Sequence, residues 1–131
     1  LSGRLMGKKM RYVALEKDPI YLHALGNRFL RTPNVEVRQG DPESTADYKD
    51  FAGQFASALC VNVLEYAESP LGVLQSLEQS LQPGGNVVVL VPRSMTLFGR
   101  VDQTLGHRRR FSQVALADLL SQAGFAVERS Y

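Results

Sequence analysis

Short apolar runs alternate with amphipathic stretches along most of this chain, and that alternation limits its fold more than any other feature. "RYVAL" (11–15) reads as a short buried strand. Asp18 and Pro19 then supply an N-cap and a first-turn proline for a helix reaching about Leu30, which Pro33 stops from continuing. "VEVRQ" (35–39) is a second strand. After the polar "GDPESTADYKD", the run "FASALCVNVL" (55–64) predicts a third strand, whose small and apolar residues imply burial on both faces and a central place. From Pro70, Leu71, Leu74, Leu77 and Leu81 recur at helical spacing, and "PGG" (83–85) predicts the close of that helix. "NVVVLV" (86–91) is the plainest strand. A long connection leads to Ser112, the N-cap expected for a helix bearing Leu116, Leu119 and Leu120 and ending at Gly124. "FAVERSY" (125–131) predicts a last strand.

Strands separated by helices with short connections imply an α/β domain, 1–131, with a mostly parallel sheet and flanking helices. The chain has 131 residues, 44% of them apolar, which suits one soluble domain. Fifteen basic against 13 acidic residues leave a net charge of +2, too small to point to a nucleic acid or a membrane. No apolar stretch approaches the roughly 20 residues of a membrane span. The single cysteine, Cys60, excludes an internal disulfide, His23 and His107 form no zinc pattern, and the expected setting is reducing and cytoplasmic. Leu1 begins the chain without methionine inside a helical pattern, "LSGRLMGKK", which reads as a cut end.

Open parallel sheets bind ligands beyond the carboxyl ends of their strands, so the informative residues follow each strand. Glu16 stands where an acid in nucleotide-binding α/β domains accepts hydrogen bonds from ribose hydroxyls. Asp18 has the simpler role of N-cap, and Lys17 reads either as a solvated side chain or as a neighbour of the ligand. Asp41, after the second strand, either meets an adenine amino group or makes a turn before Pro42. Asn62, after the third, either serves a ligand or caps the strand end.

The ordered set "VNVLEYAESP", "LQPGG", "VVVLVP", "LGHRRRFS" and "LLSQAGF" resembles the second half of class I S-adenosylmethionine-dependent methyltransferases. The likeness is closest to the ubiquinone and menaquinone biosynthesis branch, including domains joined to sugar transferases, and runs from Leu1 to Tyr131. Tyr66 stands where that branch commonly has histidine, and Ser69 where it has aspartate. The resemblance implies a Rossmann-like fold. It makes Glu16 the ribose-binding acid, puts Lys17 beside the S-adenosylmethionine cofactor, lines the adenine pocket with Asp41 and Pro42, and brings Asn62, Val63 and Leu64 to the methionine end. His107, in the connection after "NVVVLV", becomes the base or acceptor-positioning residue, and Arg108, Arg109 and Arg110 hold an anionic acceptor or make surface ion pairs. Met95, Leu97 and Phe98 either line an acceptor pocket or pack a loop. Cys60 reads as a small core residue.

One family feature has no counterpart. Neither Gly3 nor Gly7 follows a strand or has the "GxGxG" spacing of the loop that cradles the methionine portion. Alignment puts Leu1 just after that loop, so the chain as given is expected to lack both the loop and the strand between "RYVAL" and "FASALCVNVL". Two readings follow. The first is a small-molecule methyltransferase whose glycine loop lies upstream; the second is a degenerate, non-catalytic module that contacts a partner or holds a fused enzyme. Unpaired edges on those two strands would recruit strands from other chains. This polypeptide is therefore predicted to be poorly soluble or to dimerise by strand exchange, and a compact, stable monomer in ultracentrifugation would contradict that.

Overall fold

A computed structural model describes residues 10–92, 104 and 108–131. They belong to two units, one ending at Pro42 and the other running from Glu43 to Tyr131.

The first unit is a strand–helix–strand motif. β1 (Tyr12–Glu16) pairs in parallel with β2 (Val35–Gln39), from Tyr12 opposite Val35 to Glu16 opposite Gln39. α1 (Pro19–Phe29) connects them, as parallel strands require. Its start follows from two residues: Asp18 is extended and its Oδ1 accepts the Ile20 N–H at 2.7 Å, while Pro19 occupies a first-turn position that needs no donor. Phe29 is buried, and the Thr32 N–H turns back to its carbonyl at 2.8 Å, ahead of Pro33. On the surface, Glu36 takes Arg11 Nη2 at 2.8 Å and Arg38 Nη2 at 2.8 Å. The hydrogen bond from Arg11, then that from Arg38, holds the Glu36 carboxyl below its ordinary range.

The second unit holds the larger core. β3 (Phe55–Val61) and β4 (Leu81–Leu90) are parallel, joined by α2 (Pro70–Ser80), and α3 (Gln113–Gln122) follows. Cys60 on β3, Val73 and Leu74 on α2, Leu120 on α3, and Leu64 and Phe111 between elements form a single buried cluster, with Val87 and Val89 of β4 packed on it. Ser69 and Ser112 cap their helices, accepting the Gly72 and Ala115 N–H groups at 3.1 Å each. α3 ends in a Schellman motif: Phe125 N–H reaches the Leu120 carbonyl at 2.9 Å, Gly124 N–H reaches that of Ser121 at 3.1 Å, and Gly124 has φ 95°.

Four expectations need correction. β3 ends at Val61 rather than at residue 64, because Asn62 adopts a left-handed conformation with φ 52° that ends the extended run. It is not buried on both faces either: Leu59 on β3 and its neighbours Val88 and Leu90 on β4 are 50%, 60% and 55% exposed. Among the described residues, the face carrying Cys60, Val87 and Val89 packs on the core that α2 and α3 supply. "PGG" does not close α2, which stops at Ser80; β4 begins at Leu81, opposite Phe55, and Gln82 to Gly85 bulge out opposite Ala56 before pairing resumes at Asn86. Residues 125–131 form no strand. Their contacts are the Phe125 helix cap and a side-chain bond of 2.7 Å from Gln113 Nε2 to Ser130 Oγ, neither of which is a ladder.

A 3-10 helix, Thr45–Phe51, lies inside the stretch that reads as a polar connection. Tyr48 and Phe51 are its buried residues, and Phe51 packs edge-on against Phe55 at 5.6 Å. Among the described residues, β1 pairs with β2 alone and β3 with β4 alone.

Two glycines respond oppositely to a methyl group. A Cβ on Gly85 would stand 2.9 Å from the Gln82 carbonyl oxygen and 3.2 Å from that of Ala56, both backbone atoms, whereas one on Gly26 in α1 meets nothing within 4 Å. Gly85→Ala is expected to destabilise by about 1–3 kcal/mol and Gly26→Ala to stabilise by about 0.5–1 kcal/mol in urea unfolding. Equal effects would refute the bulge geometry. Burial, aided by the charge of Glu65, pushes the Cys60 thiol up from 9.0 to about 12. The unfolded chain therefore loses this proton first as pH rises above 9.0, so stability falls between there and about 12. Cys60→Ala is expected to remove that part of the decline, and a thiol reagent is expected to reach Cys60 only on unfolding; fast labelling of the folded protein would contradict its burial.

Candidate functional site

The carboxyl ends of β1 and β2 bring together Lys17 and Asp41, which follow them. Beyond the last ladder pair, the Gly40 N–H still reaches the Glu16 carbonyl at 3.1 Å, so both chains leave the sheet side by side. Lys17 Nζ and Asp41 Oδ2 then meet at 2.7 Å. This is a surface ion pair, worth at most about 1 kcal/mol, but it fixes where two side chains lie. Glu16 Oε1 accepts the Asp18 N–H at 2.8 Å, and Asp18 accepts from Ile20 as the N-cap. Glu16 thus supports the turn into α1 with one of its two carboxylate oxygens. Lys17 is exposed yet paired, Asp41 is half-buried, and Pro42 follows at the unit's end.

In the second unit the residues after β3 form a tight turn. The Asn62 N–H donates to the Leu90 carbonyl at 3.0 Å, extending the ladder by one bond, and the left-handed backbone then turns the chain. Asparagine tolerates that conformation better than most residues. Val63 packs on the core and its carbonyl accepts the Tyr66 N–H at 3.1 Å. Leu64 is fully buried, so its side chain belongs to the core and only its backbone faces elsewhere. Glu65 and Ala67 are buried as well, while Tyr66 is exposed.

The arginine run lies against this turn. Arg108 donates from its backbone to the Glu65 carbonyl at 2.7 Å and from Nη2 to Glu68 Oε1 at 3.0 Å. Arg109 Nη2 donates to the Ala67 carbonyl at 3.0 Å. Arg110 is half-buried, and Phe111 is in the core with its N–H on the Pro92 carbonyl at 3.1 Å. His107, Met95, Leu97 and Phe98 lie outside the described residues. The raised thiol of Cys60 leaves it protonated in the core rather than poised as a nucleophile.

Sequence reading missed two anchors here. Glu43 Oε1 accepts the Ser69 N–H at 2.6 Å and so ties the approach to β3 to the start of α2, and Arg109 holds Ala67. Neither had a local signal, because each contact joins residues far apart in the chain. Among the described residues, no group of His, Cys, Asp and Glu side chains is arranged to hold a metal ion, and no helix is long and apolar enough to cross a membrane.

Solved structures share this fold. The trans-methyltransferase CalH, in a complex with SAH (S-adenosylhomocysteine), is 22% identical with a TM-score of 0.68, the match covering 88% of this chain and 36% of that one. A candidate methyltransferase from Bacillus halodurans C-125 is 18% identical with a TM-score of 0.77, over 91% of this chain and 55% of that one. The [4+2]-cyclase SpnF is 17% identical with a TM-score of 0.70, over 88% and 42%. The chain thus spans between about a third and just over half of these relatives' lengths. A search of curated proteins finds no match. Residues 6–130 match the family model of the methyltransferase domain, and the chain belongs to that family.

Proposed function

We propose that this chain forms the cofactor-binding part of an S-adenosylmethionine-dependent methyltransferase acting on a small-molecule acceptor. The observation that carries the reading is the position of Glu16 at the carboxyl end of β1, with the next residue, Lys17, paired to Asp41 just beyond the end of the parallel neighbour, in a chain of the methyltransferase domain family. The SAH bound to CalH supports the choice of cofactor.

The residues fit that ligand chemically. Glu16 Oε2 is the carboxylate oxygen not used on Asp18, and it offers an acceptor for a ribose hydroxyl. Asp41 and Pro42 would border the adenine, with Lys17 orienting Asp41. Asn62 and the backbone of Val63 and Leu64 would serve the methionine end. Bound S-adenosylmethionine supplies a methyl group already activated on its sulfonium. The protein's task is then to align the acceptor and exclude water, with His107 as base or positioning residue and Arg108 and Arg110 drawing an anionic acceptor. A cytoplasmic setting belongs to the same reading and rests on the lone, reduced cysteine. So does one partial methyltransferase domain over 1–131, with a second copy or a fused partner pairing along the outer edges of β1 and β3, and with no nucleic acid.

The likeness to a [4+2]-cyclase shows why the fold alone does not name the reaction. Cofactor binding is therefore the first test. Calorimetric titration of S-adenosylhomocysteine is expected to show binding by this chain, or by the chain in its natural sequence context, and Glu16→Ala is expected to weaken it about 10- to 100-fold, as loss of charge-assisted hydrogen bonds implies. No binding in either form would overturn the proposal.

A further inference from the structure

The turn that follows β3 has no secondary structure of its own to hold it. Among the described residues, its Asn62 N–H bonds the Leu90 carbonyl of β4 and its Tyr66 N–H bonds the Val63 carbonyl. The carbonyls of Glu65 and Ala67 are instead taken by Arg108 and Arg109, some 40 residues further along the chain. A buried carbonyl needs a partner, and Ala67 is only 4% exposed. The two arginines are not equivalent in this. The Arg108 side chain is 54% exposed and pairs with a Glu68 that is 75% exposed, a contact that water replaces at little cost. Arg109 is half-buried and gives its guanidinium to a buried backbone oxygen, where a planar, always-charged donor is hard to substitute.

We infer that Arg109 is a positioning residue: through the Ala67 carbonyl it holds the Asn62–Glu68 turn in the shape that receives the methionine end of the cofactor. The inference rests on the methyltransferase reading above. It also separates roles within the arginine run, with Arg109 turned inward to the protein's own backbone and Arg108 at the surface. Because Arg109 acts on the turn after β3, its loss is expected to weaken contacts to the amino-acid portion of the cofactor.

Ligands that differ only at that end provide the test. S-Adenosylhomocysteine carries both the adenosine and the amino-acid portions, whereas 5′-methylthioadenosine keeps the adenosine and thioether and lacks the amino acid. In a form of the protein that binds both, Arg109→Met is expected to weaken S-adenosylhomocysteine about 10-fold and to leave 5′-methylthioadenosine within about twofold. Arg109→Lys, which keeps the charge and one donor, is expected to fall between wild type and Arg109→Met for the first ligand only. It also serves where the methionine variant does not fold, as judged by circular dichroism. Equal losses for the two ligands, or no loss for either, would overturn the positioning role while leaving the cofactor assignment standing. A wild-type protein that binds neither ligand would overturn both.

Discussion

Parallel pairing is the constraint on which the rest of the structure depends. Two strands that run the same way cannot be joined by a tight turn, so each pair here carries a helix between its members, α1 in the first unit and α2 in the second. The same pairing brings the carboxyl ends of both strands to one side. Residues immediately beyond those ends are then neighbours without being close in sequence, as Lys17 and Asp41 are, or as the Asn62 N–H and the Leu90 carbonyl are. The candidate site is a by-product of strand direction. Its chemistry comes from which residues stand at those few positions.

Local signals made much of the fold readable. Asp18 and Ser112 cap the helices they precede, as their positions imply, because a capping side chain needs only a backbone N–H two or three residues away; Ser69 caps as well, though the sequence reading did not assign it that role. β2 forms over the residues its pattern implies, and β1 is displaced by one. Errors gathered where the outcome depends on a distant partner. Nothing in "FAVERSY" says that no strand lies beside it, and nothing in "LQPGG" says that Leu81 will pair with Phe55 and leave a bulge between. The 3-10 helix had the opposite problem: Tyr48 and Phe51 are two apolar anchors among polar neighbours, too few to make a helical stripe, yet enough to seat one irregular turn in the core.

The site was legible to the same extent and for the same reason. An acid at the end of "RYVAL" and a second after "VEVRQ" follow from strand boundaries; the structure has Glu16 as the last residue of β1 and Asp41 two residues beyond β2, paired with Lys17. Leu64 differs. As the end of a strand it looked available to a ligand, but with β3 stopped at Val61 its side chain turns into the core beside Val73 and Leu74. The arginine run was visible as charge, and charge suggested an acceptor. Sequence does not show that Arg109 finds a carbonyl of its own chain, because that contact spans 42 positions.

Two kinds of order therefore meet at the turn after β3, and they differ in what they tolerate. The strand beneath it is held by a ladder that many apolar residues would maintain, as its row of small and branched side chains indicates. The turn itself is held by single contacts: a left-handed Asn62, a backbone bond from Arg108, a guanidinium on Ala67. The Arg108 and Arg109 bonds lie outside the β3–β4 ladder. Solved chains that share this fold include a methyltransferase and a [4+2]-cyclase, so the sheet by itself does not name a reaction. The ladder holds the sheet through many equivalent bonds, whereas the turn beyond it depends on a few contacts between residues far apart in the chain.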